Sequence, residues 1–146
     1  TTGLRFFTVY GPWGRPDMFL FLLVNSIKKN KIIKIFNKGK MYRDFTYIDD
    51  IVNGTISALE KNYKCEIFNL GNNKSEELMD VISLIEKYLN KKAKINYKPL
   101  QKGDVVHVAS SIKKIKSHLN YKPRVSVEEG VKNFVDWFKE YYEKKY

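Results

Sequence analysis

Residues 4–10, LRFFTVY, form a segment rich in apolar and aromatic side chains that runs straight into the stiff loop 11–16, GPWGRP. Residues 66–70, EIFNL, form a second such segment, closed by Gly71-Asn72-Asn73. A strand this apolar needs cover on both faces, as the strands of parallel sheets do. Each segment is followed by a stretch with helical spacing. Strand and helix signals go on alternating to the end of the chain, which predicts an α/β fold.

The remaining elements follow from local signals. Asp17 is placed to cap a helix over 17–30, with Arg-Pro marking the loop before it. A short strand covers 32–36, a turn 37–40 and another strand 42–47. Asp49 or Asp50 opens a helix to about residue 61, with Ile51, Val52, Ile56 and Leu59 as its inward stripe. Ser75 caps a helix to residue 89 whose core face is Leu78, Val81, Ile82, Ile85 and Leu89. A strand at 93–97, a loop at 101–104 and a short helix to 119, capped by Ser110 or Ser111, come next. Ser126 and Glu129 form a capping box, and the last helix runs to about 142 with Val131, Phe134, Val135 and Phe138 inward. No repeat or linker divides residues 1–146, which read as one unit. That unit carries few helices to cover 4–10 and 66–70.

Charge and cysteine content narrow the function classes. The net charge is +11 and the pI near 9.6. The lysines are scattered along the chain, not gathered into one arm, which argues against a nucleic-acid interface. An anionic small substrate accounts for the same charge through a few well-placed arginines. Cys65 is the single cysteine, so no internal disulfide forms and a reducing cytoplasm is expected, with Cys65 as a small buried hydrophobe. His107 and His118 lack any metal-ligand spacing, and no metal site is expected. No signal-peptide pattern opens the chain. The apolar run 18–24 is far short of the roughly twenty residues a bilayer requires, so it reads as buried helix and no membrane partner is expected.

Three polar clusters interrupt the apolar pattern in loops, where α/β proteins bind ligands. In the first, Thr8 offers a hydroxyl within a bulky strand, and Arg15 sits on a stiff loop suited to a carboxylate or phosphate. The plain reading is a satisfied sheet hydroxyl and an exposed charge. In the second, Arg43 and Asp44 lie among aromatics, either as a surface salt bridge or as a diphosphate-binding Arg held by its neighbour. The third, Gln101-Lys102-Gly103-Asp104, is a commonplace turn by itself. No Gly-rich dinucleotide loop, nucleophile elbow or Ser/His/Asp set is present. The Tyr88–Lys92 spacing lies on a surface-like helix and reads as coincidence.

Taken in order, these clusters resemble a known family, the extended short-chain dehydrogenase/reductases that act on nucleotide sugars. The resemblance is greatest to the UDP-glucuronate 4-epimerases. It rests on TGLRFFTVYGPWGRPDM at 2–18, GKMYRDFTYIDD at 39–50, FNLGN at 68–72, QKGDV at 101–105, and LNYKP at 119–123 with Glu129-Gly130. It covers nearly the whole chain. It implies the C-terminal substrate-binding region of such an enzyme, in which 1–16 and 65–72 are late strands and loops of a Rossmann sheet whose N-terminal half is missing.

The resemblance implies roles as well. Thr8 faces the sugar, near a glucuronate carboxylate, and Arg15 stands at the sugar–phosphate end. Lys34 and Phe36 lie on the strand that holds uracil. Arg43 takes the diphosphate, while Gln101 and Asp104 lie over phosphate and ribose. Phe7 and Val9 are placed near the nicotinamide of NAD. No catalytic residue falls in this chain, since the family's Tyr-x-x-x-Lys pair and Gly-rich loop precede it. The implied function is the UDP-sugar-binding part of an NAD-dependent 4-epimerase, converting UDP-glucuronate to UDP-galacturonate and inactive alone. Other UDP- or dTDP-sugar epimerases, dehydratases or decarboxylases of the family stay open, as does a stand-alone basic nucleic-acid module. A homodimer is implied for the whole enzyme, and self-association for this fragment. Lys102 and Ser110 depart from the family's usual Pro and Asp.

Overall fold

Two strand segments change partner midway, and those two breaks organise the chain. In the computed structural model, which describes residues 1–142, β1 (Thr2–Phe6) pairs in parallel with β6 (Glu66–Leu70), in register from Thr2 opposite Glu66 to Phe6 opposite Leu70. At Phe7 the backbone N–H still donates to the Leu70 carbonyl at 3.1 Å, but the Thr8 N–H donates to the Asp44 carbonyl at 3.0 Å. From there β2 (Thr8–Tyr10) pairs in parallel with β5 (Phe45–Tyr47). The single strand expected over 4–10 is therefore two, divided where the neighbour changes. The strand expected over 42–47 divides at Asp44 in the same way. Before the break, β4 (Tyr42–Arg43) runs antiparallel to β7 (Glu76–Glu77).

The outer pair is β3 (Ile32–Phe36) with β8 (Lys94–Lys98), again parallel. The helices are α1 (Phe19–Lys28), α2 (Ile48–Leu59), α3 (Leu78–Leu89), α4 (Lys113–Leu119) and α5 (Val127–Tyr142). One core gathers α1, α3 and α5 over β3 and β5, centred on Leu23, Val24, Ile85, Phe134 and Val135. The second lies between α2, α4 and β6, with Ile51, Phe68, Leu70 and Ile115. The α/β expectation holds throughout the described residues.

Several local expectations give way to tertiary contacts. Asp17 does not cap α1; Met18 holds that position, and Asp17 pairs with Arg15. Ser75 donates to the Val108 carbonyl at 2.6 Å, because β7 intervenes before α3 starts. On α2 only Ile51 of the expected inward stripe is buried: Val52, Ile56 and Leu59 are 46%, 48% and 79% exposed, while Gly54 and Ala58 turn inward. The small residues face inward because Leu70 and Tyr121 approach Gly54 too closely for a side chain. Cys65 is exposed, not buried. The capping box is kept on its serine side, with the Glu129 N–H donating to Ser126 Oγ at 3.1 Å.

The fork is held by one carboxylate. Asp44 is completely buried. Its Oδ1 accepts from Thr46 Oγ1 at 3.0 Å and from the Asn72 N–H at 2.6 Å. Its Oδ2 accepts from the Ser110 N–H at 3.0 Å and from the Ser110 hydroxyl. Gly71 is needed beside them, since a Cβ there would run into the Ser110 side chain. A second buried carboxylate, Asp50, accepts the Arg124 and Val125 N–H groups at 2.9 and 3.1 Å and ties α2 to the approach of α5.

Each hydrogen bond to a buried charge contributes about 1.5–3 kcal/mol, and orphaned donors cost more. Asp44→Ala is therefore expected to lower unfolding free energy in urea by about 3 kcal/mol or more, and Asp44→Asn by less, because one acceptor oxygen survives. Two buried tyrosines set an alkaline limit. Burial raises the phenol pKa of both Tyr10 and Tyr121, which donate to the Val127 and Gly71 carbonyls at 3.4 and 3.1 Å. Above the ordinary tyrosine value of about 10, the unfolded chain releases protons that the folded chain keeps. Their contribution is therefore full below that pH and is lost as pH rises beyond it. Urea midpoints from pH 8 to 11, the range that brackets the ordinary phenol value, should fall less steeply for Tyr121→Phe than for the parent.

Candidate nucleotide-sugar site

The fork opens onto two cavities that share Thr8 and Phe19. The larger, about 460 Å³, lies under the end of β2 and the following loop. Phe6, Phe7 and Val9 supply one wall, Gly11–Arg15 the rim, and Ile48 and Phe134 the floor. Its lining is mostly apolar, which suits a flat ring. The smaller, about 290 Å³, is bounded by β3, β4 and the loop near residue 104. It gathers Thr8, Lys34, Phe36, Arg43 and Asp104 from distant parts of the chain.

The backbone explains these positions. The partner switch at Phe7 puts Thr8 at the first position of β2, between the two cavities. No described residue takes its hydroxyl in a hydrogen bond. On β3, Lys34, Ile35 and Phe36 all line the cavity, Ile35 as a buried wall at 1% exposure. The break at Asp44 ends β4 so that Arg43 lines the cavity. Its Nη1 donates to the Tyr42 and Val106 carbonyls at 2.9 and 3.3 Å. Asp44 does not pair with Arg43, because all its acceptor capacity goes to Thr46, Asn72 and Ser110. The guanidinium is thus steadied by two carbonyls, and no carboxylate among the described residues neutralises it.

Arg15 borders the larger cavity. Its Nε and Nη2 donate to Asp17 Oδ1 and Oδ2 at 3.0 and 2.5 Å. That hydrogen bond, with the guanidinium charge, holds the Asp17 carboxyl below the usual range. Both side chains are largely exposed. A solvent-screened pair of this kind yields readily to a competing anion. Gln101 lines neither cavity; its carbonyl accepts the Asp104 N–H at 3.1 Å in an exposed turn. Phe7 and Val9 fall in the apolar cavity, apart from Lys34, Phe36 and Arg43.

Some walls escaped the sequence reading. Met41, Phe45 and Leu78 line the smaller cavity, and Trp13 and Met18 the larger. Leu78 read as a core position of α3, and only its place at the helix start turns it to the cavity. Tyr88 donates to Glu128 and Lys92 pairs with Glu86, so their spacing serves surface contacts. His107 lies against the Tyr42 ring, and His118 against Ser117 and the Lys114 carbonyl. Among the described residues no cluster of His, Cys, Asp and Glu could hold a metal ion, and no helix is long and apolar enough to cross a membrane.

Known proteins resemble this chain in sequence and in fold. Residues 1–71 match the profile of the NAD dependent epimerase/dehydratase family. A UDP-glucuronate 4-epimerase of Thermodesulfobacterium geofontis is 47% identical over 94% of this chain and 42% of its own length. An uncharacterised protein of Methanocaldococcus jannaschii is 53% identical over 94% of this chain and 42% of its own. The fold matches the UDP-glucuronic acid 4-epimerase of Bacillus cereus, solved with UDP-glucuronic acid and NAD, with a TM-score of 0.86 and 37% identity. That match covers 94% of this chain and 44% of the other. The chain therefore spans less than half the length of these relatives. On motif, family match and fold together, the chain resembles the C-terminal part of the UDP-glucuronate 4-epimerases, and its residues 1–71 carry the NAD dependent epimerase/dehydratase profile.

Proposed function

We propose that this chain is the nucleotide-sugar-binding part of an NAD-dependent 4-epimerase that interconverts UDP-glucuronate and UDP-galacturonate. The observation that carries the reading is the convergence of Thr8, Lys34, Phe36, Arg43 and Asp104 on one cavity, joined through Thr8 to a second cavity beside it. The relatives' names point to the same substrate.

The chemistry divides between the two chambers. In the smaller one, Arg43 and Lys34 supply positive charge for a diphosphate, and the Phe36 ring offers a face on which uracil stacks. Asp104 reaches the ribose hydroxyls, with Gln101 on the same turn able to close over them. Thr8 stands where the sugar must pass from one chamber to the other, and its hydroxyl donates to the glucuronate carboxylate. Arg15 adds a cation at that end by exchanging Asp17 for the substrate. In the larger chamber Phe7 and Val9 form an apolar wall that fits the nicotinamide ring of NAD, which when bound accepts and returns a hydride. The residues that move the proton from the sugar hydroxyl lie, in this reading, on a part of the enzyme outside these 146 residues. The chain by itself should then bind nucleotide sugar without turning it over.

Arg43 touches the part common to every UDP-sugar, and Thr8 the part that differs. Isothermal titration of the protein carrying this sequence should show Arg43→Ala weakening UDP and UDP-glucuronate alike, by roughly 10- to 100-fold, as loss of a charge-assisted hydrogen-bond pair implies. Thr8→Val should weaken UDP-glucuronate by roughly 5- to 10-fold and leave UDP unchanged, the scale of one lost hydrogen bond. Failure of the parent protein to bind either ligand would contradict the reading.

The isolated chain has a second expected property. Phe6, Ile67, Val52, Ile56 and Leu59 are all exposed on β1, β6 and α2. Apolar side chains beside open parallel strands promote association. Light scattering should therefore show mass rising with concentration for the 146-residue chain, and Leu59→Lys with Ile56→Lys should reduce it.

A further inference from the structure

The loop that rims the larger cavity holds a conformation its sequence does not favour. Trp13 sits at φ 63°, in the left-handed region. A bulky residue there is a backbone outlier and persists only where surrounding contacts over-determine it. Those contacts are visible. The Trp13 indole meets Trp137 at a centroid distance of 5.5 Å and Tyr141 at 4.4 Å, the latter nearly edge to face. Trp137 in turn stacks on Phe134 at 5.8 Å and on Tyr141 at 5.7 Å.

The three α5 rings follow at spacings that share one helix face. Phe134 is buried in the core and forms part of the cavity floor. At the other end of the row, Trp13 remains 68% exposed, so burial alone does not explain its position. The loop's own backbone bonds are few: the Gly14 N–H donates to Gly11 at 3.3 Å, and the Met18 N–H to Arg15 at 3.0 Å. The aromatic row is the link between the rigid core and the rim. The smaller cavity takes no residue from loop 11–15.

We infer that Trp13 is a positioning residue: its packing on Trp137 and Tyr141 fixes loop 11–15 as the wall at the sugar end of the site, and so sets recognition of the hexuronate without affecting the nucleotide end. This rests on the UDP-sugar reading above. Trp13→Gly removes the ring and also removes the backbone strain, so it separates positioning from mere stability. Trp137→Leu removes the anchor and leaves Trp13 in place, while Trp13→Phe keeps an aromatic ring.

The test is isothermal titration of UDP and UDP-glucuronate into the protein carrying this sequence and these three variants, with circular dichroism of each. Trp13→Gly and Trp137→Leu should each weaken UDP-glucuronate about tenfold, the scale of one aromatic contact, and leave UDP within about twofold. Trp13→Phe should recover most of the loss. Two indoles at 5.5 Å couple electronically, so either single substitution should delete the same ultraviolet dichroism band. UDP-glucuronate, but not UDP, should shift that band in the parent. Equal weakening of both ligands in Trp13→Gly would mark a structural role only and overturn the inference. Parent-like binding of both would overturn it as well. A parent that binds neither ligand overturns the UDP-sugar reading, and the inference with it.

Discussion

The Asp44 carboxylate is the interaction on which the rest of the site depends. It is completely buried and accepts four hydrogen bonds, from Thr46, Asn72 and twice from Ser110. Those donors come from β5, from the loop after β6 and from the approach to α4. One side chain therefore joins the two strand pairs just where β1 gives way to β2 and β4 to β5. A buried carboxylate is costly unless its acceptor positions are filled. Here they are filled by partners on separate elements, so the fork has one arrangement. Both faces of the candidate site follow from it: Thr8 begins β2 on one side, and Arg43 ends β4 on the other.

In the proposed site the two chambers differ in the charge of their linings. The smaller chamber has Lys34 and Arg43 in its lining with Asp104 as the one carboxylate among them, which suits an anionic ligand. The larger chamber, with Phe7 and Val9 in its lining, is the one we assign to the ring that exchanges hydride. Thr8 belongs to both. A substrate that carries a diphosphate at one end and a reacting sugar at the other spans such a pair of chambers naturally. The net charge of +11 fits an anionic ligand without any basic arm for nucleic acid.

How much of this was legible in the sequence depends on the range of the contacts involved. The strand Glu66–Leu70 falls on the residues expected, because a short apolar run between turns is a local signal. Residues 4–10 read as one strand since nothing local reports a change of neighbour at Phe7. The α2 stripe failed for a related reason. Ile51, Val52, Ile56 and Leu59 have helical spacing, yet of these only Ile51 is buried, and Leu70 and Tyr121 come so near the helix that a glycine, Gly54, faces them. Asp44 read as the partner of Arg43, in a surface ion pair or in holding a diphosphate-binding Arg; beyond Thr46, its partners lie 28 and 66 residues away. The cluster of Thr8, Lys34, Phe36, Arg43 and Asp104 came from family resemblance, since no spacing rule links residues so far apart. Gln101, taken from the same resemblance, lines neither cavity. Met41 and Leu78 were missed because apolar wall residues carry no signal that separates them from core.

The central claim is that this chain forms the sugar side of an epimerase. The most direct measurement is chromatographic separation of the uronates formed when the full-length protein carrying this sequence is incubated with NAD and UDP-glucuronate. The account predicts UDP-galacturonate, approaching one equilibrium mixture from either sugar, with no net consumption of NAD. Unchanged UDP-glucuronate with folded, NAD-loaded protein, or conversion of UDP-glucose alone, would contradict it.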